Sequence, residues 1–218
     1  VQAFAIDEAH CISHWGHDFR PEYRELAVLK ERFPQAAVHA YTATATARVR
    51  ADIVQQLRLI NPTVLVGRFD RPNLVYRVIP RVDEQQQVRE VLARHKGAAA
   101  IVYCISRKDT EALADFLQEH HIKAQAYHAG LAPDLRRRTQ DAFAEERIDV
   151  GVATVAFGMG IHKSNVRFVI HYDLPKNIEG YYQETGRAGR DGLPAECLLL
   201  FGAGDTIKYA RFIEEKPD

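Results

Sequence analysis

Residues 1–23, VQAFAIDEAHCISHWGHDFRPEY, open with an apolar run, turn acidic at Asp7 and Glu8, and then gather His10, His14, Trp15, His17, Phe19, Arg20 and Tyr23 into a short loop. A buried parallel strand reads as a continuous apolar run, and ligands of open α/β sheets collect beyond such a strand's carboxyl end. Asp7 and Glu8 therefore stand where an active site belongs. At that place a first carboxylate can hold Mg²⁺, usually through water, and a second can polarise the water that attacks a γ-phosphate. The plainer alternative is a strand that ends in a solvated acidic turn. Rings and imidazoles interleaved with a cation offer single-stranded nucleic acid π-faces for its bases and charge for its phosphates. Core packing is the alternative for Trp15 and Phe19, and the many polar groups in so short a span weigh against it.

Composition narrows the classes. The 218 residues balance 29 Lys+Arg against 29 Asp+Glu, so any binding to nucleic acid must come from local patches, which disfavours a simple DNA-coating protein. A hydrophobic fraction of 46% and a charged fraction of 27% are those of an ordinary globular chain. Cys11, Cys104 and Cys197 are widely separated and form no C-x-x-C pair. They read as reduced thiols of a cytoplasmic protein, against a zinc site or a disulfide framework. No run is long or apolar enough to span a membrane and no signal peptide is visible. The start inside a strand, without Met, predicts a fragment.

Along the chain, Pro21 can begin a helix whose apolar face is Leu26, Leu29 and Phe33, ended by Pro34. A strand over residues 36–41 runs into Thr42-Ala43-Thr44-Ala45-Thr46. Hydroxyls at a strand's end can approach a phosphate, and Thr46 can cap a helix that carries Val49, Ile53 and Leu57. Short strands are expected at 64–66 and 74–79 around a Gly/Pro/Asn/Asp cluster, with a domain boundary at Arg71. Beyond it, helices expected at 83–95, 109–120 and 134–143 alternate with apolar runs at 99–104, 124–127, 150–153, 166–172 and 195–201. Such alternation implies right-handed crossovers and a parallel sheet, so the fold class is α/β with parallel sheets flanked by helices.

Several places in the second half could carry chemistry. Ser106 and Arg107 follow one strand, though a helix cap explains Ser106 equally well. His128, in Tyr127-His128-Ala129-Gly130, is a phosphate contact or a satisfied turn histidine. Thr154 to Ile161, TVAFGMGI, joins a hydroxyl donor to Gly158 and Gly160, whose backbone N–H groups can approach a phosphate closely; a tight turn is the alternative. Finally, Gln183 to Gly192 reads QETGRAGRDG. Arg187 and Arg190, three apart with small residues between them, are expected to present guanidinium groups on one face of a short helix. A surface helix with salt bridges is the alternative, but each of Gly186 and Gly189 costs a helix interior about 1 kcal/mol relative to Ala.

Taken in order, DEAH, the loop CISHWGHDFRPEYREL, T-A-T, A-T-V-A-F-G-M-G-I and Q-E-T-G-R-A-G-R resemble the motifs of the RecQ-type DNA helicases over essentially the whole chain. Tyr41, His162 and Ser164 stand where that family more often has Leu, Asn and Pro. The resemblance implies two RecA-like lobes that clamp ATP and Mg²⁺, step 3′ to 5′ along single-stranded DNA and unwind duplex, in DNA repair and recombination. It places Asp7, Glu8, Arg187 and Arg190 in catalysis, with Asp7 toward Mg²⁺. It adds His10, Gly158, Gly160 and Gln183 to the nucleotide site. It assigns DNA binding and coupling to His14, Trp15, His17, Phe19, Arg20, Tyr23, Thr42, Thr44, Ser106, Arg107, Thr154 and Met159. Residues 1–71 would be the C-terminal part of the first lobe and residues 72–218 the second lobe. Expected partners are DNA, ATP and DNA-repair proteins, with no membrane. Localisation is expected to be cytoplasmic and nucleoid-associated, or nuclear if the source is eukaryotic. No G-x-x-x-x-G-K-[ST] occurs, so the phosphate cradle is missing and the chain alone is expected to hydrolyse ATP poorly or not at all; no zinc is expected in it. A non-catalytic module that binds nucleic acid or a partner is the main alternative. A metal-dependent hydrolase built on Asp7, Glu8, His10 and His14 is disfavoured, because the zinc-protease order H-E-x-x-H is absent.

Overall fold

In the computed structural model, which describes residues 1–16, 18–67, 70–154, 157, 163–202 and 204–205, the chain divides into Val1–Phe69 and Asp70–Asp218. The division falls just before the expected boundary at Arg71. Arg71 goes with the second unit because its guanidinium donates to the carbonyls of Gly186 and Gly189, at 3.2 and 2.5 Å.

In the first unit, β1 (Ala3–Ile6) pairs in parallel with β2 (Ala37–Ala40), in a register that sets Ala3 opposite Ala37 and Ile6 opposite Ala40. A 3₁₀ turn at Ala9–Ile12 follows β1. The helix expected after Pro21 is instead a 3₁₀ segment, Pro21–Ala27, that widens into the short α1, Val28–Arg32. Thr46 caps α2 (Ala47–Gln56) by accepting the Val49 N–H. Val49, Ile53 and Leu57 recur at the 3.6-residue period and close over Ile6, Ala9 and Ile12 to make the core of this unit. Residues 64–66, expected as a strand, form none; all three side chains are exposed, and no ladder partner among the described residues holds them extended.

The second unit is a six-stranded all-parallel sheet. Its strands are β3 (Leu74–Pro80), β4 (Ala99–Tyr103), β5 (Ala124–Tyr127), β6 (Val150–Ala153), β7 (Val166–His171) and β8 (Ala195–Phe201), in the order β3-β8-β7-β4-β6-β5. Its helices among the described residues include α3 (Glu84–Arg94), α4 (Arg107–Glu119), α5 (Pro133–Ala144) and α6 (Ile178–Thr185). Strand alternation splits the core in two. Ala100, Val102 and Cys104 join Val88, Val91 and Leu92 of α3 and Leu113 and Leu117 of α4 in one cluster. Ala99, Ile101 and Tyr103 join Ala142 and Phe143 of α5 in the other. Side chains two apart thus share a face, and the helices cover both faces, as a buried parallel sheet requires.

Candidate functional site

In the first unit, the box residues lie where β1 ends. Asp7 and Glu8 are exposed, the Asp7 carboxylate accepts the Glu8 N–H at 2.9 Å, and Glu8 sits in the left-handed region at φ 50°. Such a conformation is uncommon outside Gly and Asn, and it turns the chain sharply into the 3₁₀ turn. His10 is buried; its Nδ1 lies 2.9 Å from the Thr42 hydroxyl and 3.3 Å from a Glu8 carboxylate oxygen. Backbone bonds reinforce that bridge, Tyr41 N–H to the Ile6 carbonyl and Ala9 N–H to the Tyr41 carbonyl. The Thr44 N–H donates to the Thr42 hydroxyl at 3.3 Å, while the buried Thr44 hydroxyl has no hydrogen-bond partner among the described residues. An unmet buried hydroxyl costs about 1–3 kcal/mol.

The loop that follows is tied down at one end and open at the other. Arg20 donates to Asp18 through two nitrogens, at 2.6 and 3.1 Å, and its own N–H reaches the Cys11 carbonyl. The Arg20 hydrogen bond holds the Asp18 carboxyl below the usual carboxylate range, and burial, with Asp18 nearby, pushes the Cys11 thiol up. The rings of His14 and Phe19 meet at a tilt of 37°, 3.8 Å between centroids, with Arg24 over the Phe19 ring at 5.2 Å. Trp15 is 59% exposed, and the Arg48 guanidinium lies 3.3 Å from its ring centre. Phe19 is half-buried, and Tyr23, expected among the DNA contacts, packs against the core of this unit. His17 lies outside the described residues.

In the second unit, Ser106 caps α4: its hydroxyl accepts the Asp109 N–H at 2.9 Å and lies 2.7 Å from the Asp109 carboxylate. Arg107 is exposed and lies across Gly130, where an added Cβ would come within 2.8 Å of its Nη1. His128 bonds Glu111 at 2.9 Å. Thr154 lines a cavity of about 180 Å³ together with Tyr103, His171, Asp173, Lys176 and Glu184. Glu184 and His171, both buried, bond at 2.7 Å. Phe157 is fully buried; its ring lies over Gly151, where a Cβ would come within 2.6 Å, and its carbonyl accepts the Tyr103 hydroxyl. Gly158, Met159 and Gly160 lie outside the described residues.

Arg187 and Arg190 are not on a helix. Helix α6 ends at Thr185, and both arginines ride a turn in which Gly189 takes φ 54°. Glycine adopts that conformation at little cost, which explains its place in the motif. Arg187 lies beside Tyr103, whose phenol is pushed up by burial while the guanidinium opposes the shift. Arg190 is more exposed; its Nε donates to the Gly186 carbonyl at 3.3 Å. Burial, then Arg187 and Arg71, lower its affinity for the proton. Gln183 is half-buried on α6. Sequence reasoning missed Arg48, Gly151 and Tyr103. Only the start of α2 straight after T-A-T-A-T hinted at Arg48.

Among the described residues no group of three or more metal-ligating side chains gathers. Mg²⁺ needs no such group, since it keeps most of its waters and takes one or two carboxylates, so the exposed oxygens of Asp7 and Glu8 fit it.

Residues 83–192 match the helicase conserved C-terminal domain. The ATP-dependent DNA helicase RecQ of Pasteurella multocida is 50% identical over 218 residues, covering 100% of this chain and 34% of that protein. The RecQ-like DNA helicase blm-1 of Caenorhabditis elegans is 47% identical over 216 residues, 97% of this chain and 22% of that protein. The chain thus spans about a third or less of the length of these curated relatives. Among solved structures, Saccharomyces cerevisiae Dbp5 bound to RNA and ADP BeF3 superposes with a TM-score of 0.69 at 20% identity, over 99% of this chain and 57% of that one. A DEAD box protein from Methanococcus jannaschii gives 0.61 at 23% identity, over 98% and 57%. At such identities the likeness is one of fold, the RecA-like arrangement of a parallel sheet between helices.

Proposed function

The chain belongs to the RecQ-type helicases, its residues 83–192 being the helicase conserved C-terminal domain, and on that premise we propose that it works as part of an ATP-dependent DNA motor. That motor moves 3′ to 5′ on single-stranded DNA and unwinds duplex during repair and recombination, in the compartment that holds the chromosome. The observation that carries the reading is His10, whose Nδ1 meets both Glu8 of the box and Thr42 of T-A-T. One imidazole thereby joins a carboxylate suited to water activation to the segment that leads into α2 and Arg48. Bound ATP with Mg²⁺ would supply the bond that is cleaved and the charge that the site must balance. Asp7 would hold Mg²⁺ through its waters. Glu8 holds and polarises the attacking water, and its left-handed backbone aims its carboxylate back at His10. Arg190 answers the negative charge that develops on the transferred group, with Arg187 a second contact. Trp15, whose side chain is largely exposed, faces DNA, while Thr42 and Thr44 couple that contact to the nucleotide. Without a G-x-x-x-x-G-K-[ST] sequence in its 218 residues, this chain by itself turns over ATP slowly or not at all.

Glu8→Gln in the full-length protein that carries this sequence tests the reading. The expected outcome is a loss of ATP turnover of about 10²-fold or more, the range for removal of a general base, with ATP affinity retained. Wild-type turnover in that variant would contradict it.

A further inference from the structure

We propose that Arg71 and Asn73 are positioning residues that set the aim of Arg190. The inference rests on the reading of Arg190 as the group that meets the nucleotide. Four side-chain hydrogen bonds lead from the first residues of the second unit into the turn that carries Arg190. Arg71 donates through Nη1 to the Gly186 carbonyl at 3.2 Å and through Nη2 to the Gly189 carbonyl at 2.5 Å. The Asn73 amide nitrogen donates to the Gly189 and Leu193 carbonyls, each at 2.9 Å. Both side chains are half-buried.

The Gly186 carbonyl is shared. It accepts Arg71 Nη1 from one direction and Arg190 Nε from another, at 3.3 Å. A guanidinium is a rigid fork, so a carbonyl fixed by one fork presents a fixed lone pair to the next. Arg71 also stands close enough to disfavour the charge on Arg190, after burial and Arg187. Gly189 is the second observation. A Cβ there would come within 2.5 Å of the Asn73 amide nitrogen and 2.8 Å of the Leu193 carbonyl oxygen, so the glycine provides the room in which Asn73 sits. The far side of the turn is held separately. Arg167 reaches both Asp191 oxygens at 2.6 and 2.7 Å, and the Gly189 N–H reaches the Val166 carbonyl. Loss of Arg71 therefore frees the Arg190 side of the turn while the rest stays pinned. In sequence, Arg71 is the second residue of the second unit.

The test is steady-state ATP hydrolysis by the full-length protein with saturating single-stranded DNA, for Arg71→Ala, Asn73→Ala, Arg190→Ala and the double variant Arg71→Ala/Arg190→Ala. A misplacement of about 1 Å costs on the order of 10²-fold. Arg71→Ala is therefore expected to lower kcat by about 10- to 100-fold with the ATP KM within about twofold, and Asn73→Ala to lower kcat less. The double variant should be no slower than Arg190→Ala alone, because residues acting through one group do not add. Thermal unfolding of each variant separates loss of aim from loss of fold. Wild-type kcat in both Arg71→Ala and Asn73→Ala, or a double variant in which the two losses multiply in full, overturns the inference. If Arg190→Ala alone leaves kcat unchanged, the reading of Arg190 falls and the inference with it, an outcome told apart by that single variant.

Discussion

At the scale of the residue, Trp15 concentrates the argument about DNA. A guanidinium over an exposed aromatic face contributes about 0.5–1 kcal/mol, whereas a stacked base contributes roughly 1–3 kcal/mol. A base can therefore take the place of Arg48 on the ring 3.3 Å beneath it. Phe19 has less to offer, held between His14 and Arg24. Trp15→Ala in the full-length protein should weaken single-strand binding about tenfold and reduce the stimulation of ATP hydrolysis by DNA, with Phe19→Ala weaker in both. Titration with a fluorescent oligonucleotide checks this; unaltered affinity and stimulation in Trp15→Ala would refute the assignment. The sequence made the ring's exposure legible, because core aromatics seldom share so short a span with so many polar groups. It hid the identity of Arg48, because a helix's first turn gives no sign of which neighbour it faces across a loop.

At the scale of the element, the loop after β1 and helix α2 are tied through Asp52. The Ser13 hydroxyl, chiefly, holds the Asp52 carboxyl below its ordinary range, with Gln56 and Arg24 adding to the effect. A carboxyl whose affinity for the proton falls on folding stabilises the folded state above its unfolded pKa of about 3.9, and that contribution is lost as pH falls through the lower, folded value. The first unit should thus lose stability on acidification below about pH 4, and Asp52→Asn should flatten that part of the profile. Thermal melts across pH 3–7 read it out, and an unchanged acid limb in Asp52→Asn would contradict the tie. Elsewhere, hydrophobic period found the elements: β5, β6 and β8 lie on the expected residues. It failed where apolar residues lack a partner, at 64–66, and where glycines end a helix, at α6. Arg187 and Arg190 were expected on a helical face because their spacing of three fits one; Gly189 at φ 54° makes the same spacing part of a turn.

At the scale of the whole molecule, each unit carries a different set of candidate groups. The first holds the carboxylates, the His10 bridge and the open tryptophan; the second holds the cavity beside Thr154 and the arginine turn. The alternation of strand and helix was legible in the chain, as was the identity of the charged groups. The strand order β3-β8-β7-β4-β6-β5 was not, because parallel pairing is set by contacts far apart in sequence. The bonds from Arg71 and Asn73 were hidden for the same reason, since they cross more than a hundred positions to reach Gly186, Gly189 and Leu193. The central proposal is that Arg190, on the turn after α6, balances the charge that develops as ATP is hydrolysed. Single-turnover ATP hydrolysis by the full-length protein tests it most directly. Arg190→Ala is predicted to slow hydrolysis by about 10³- to 10⁵-fold, the usual worth of such a guanidinium, with nucleotide binding retained; hydrolysis at the wild-type rate would contradict the claim.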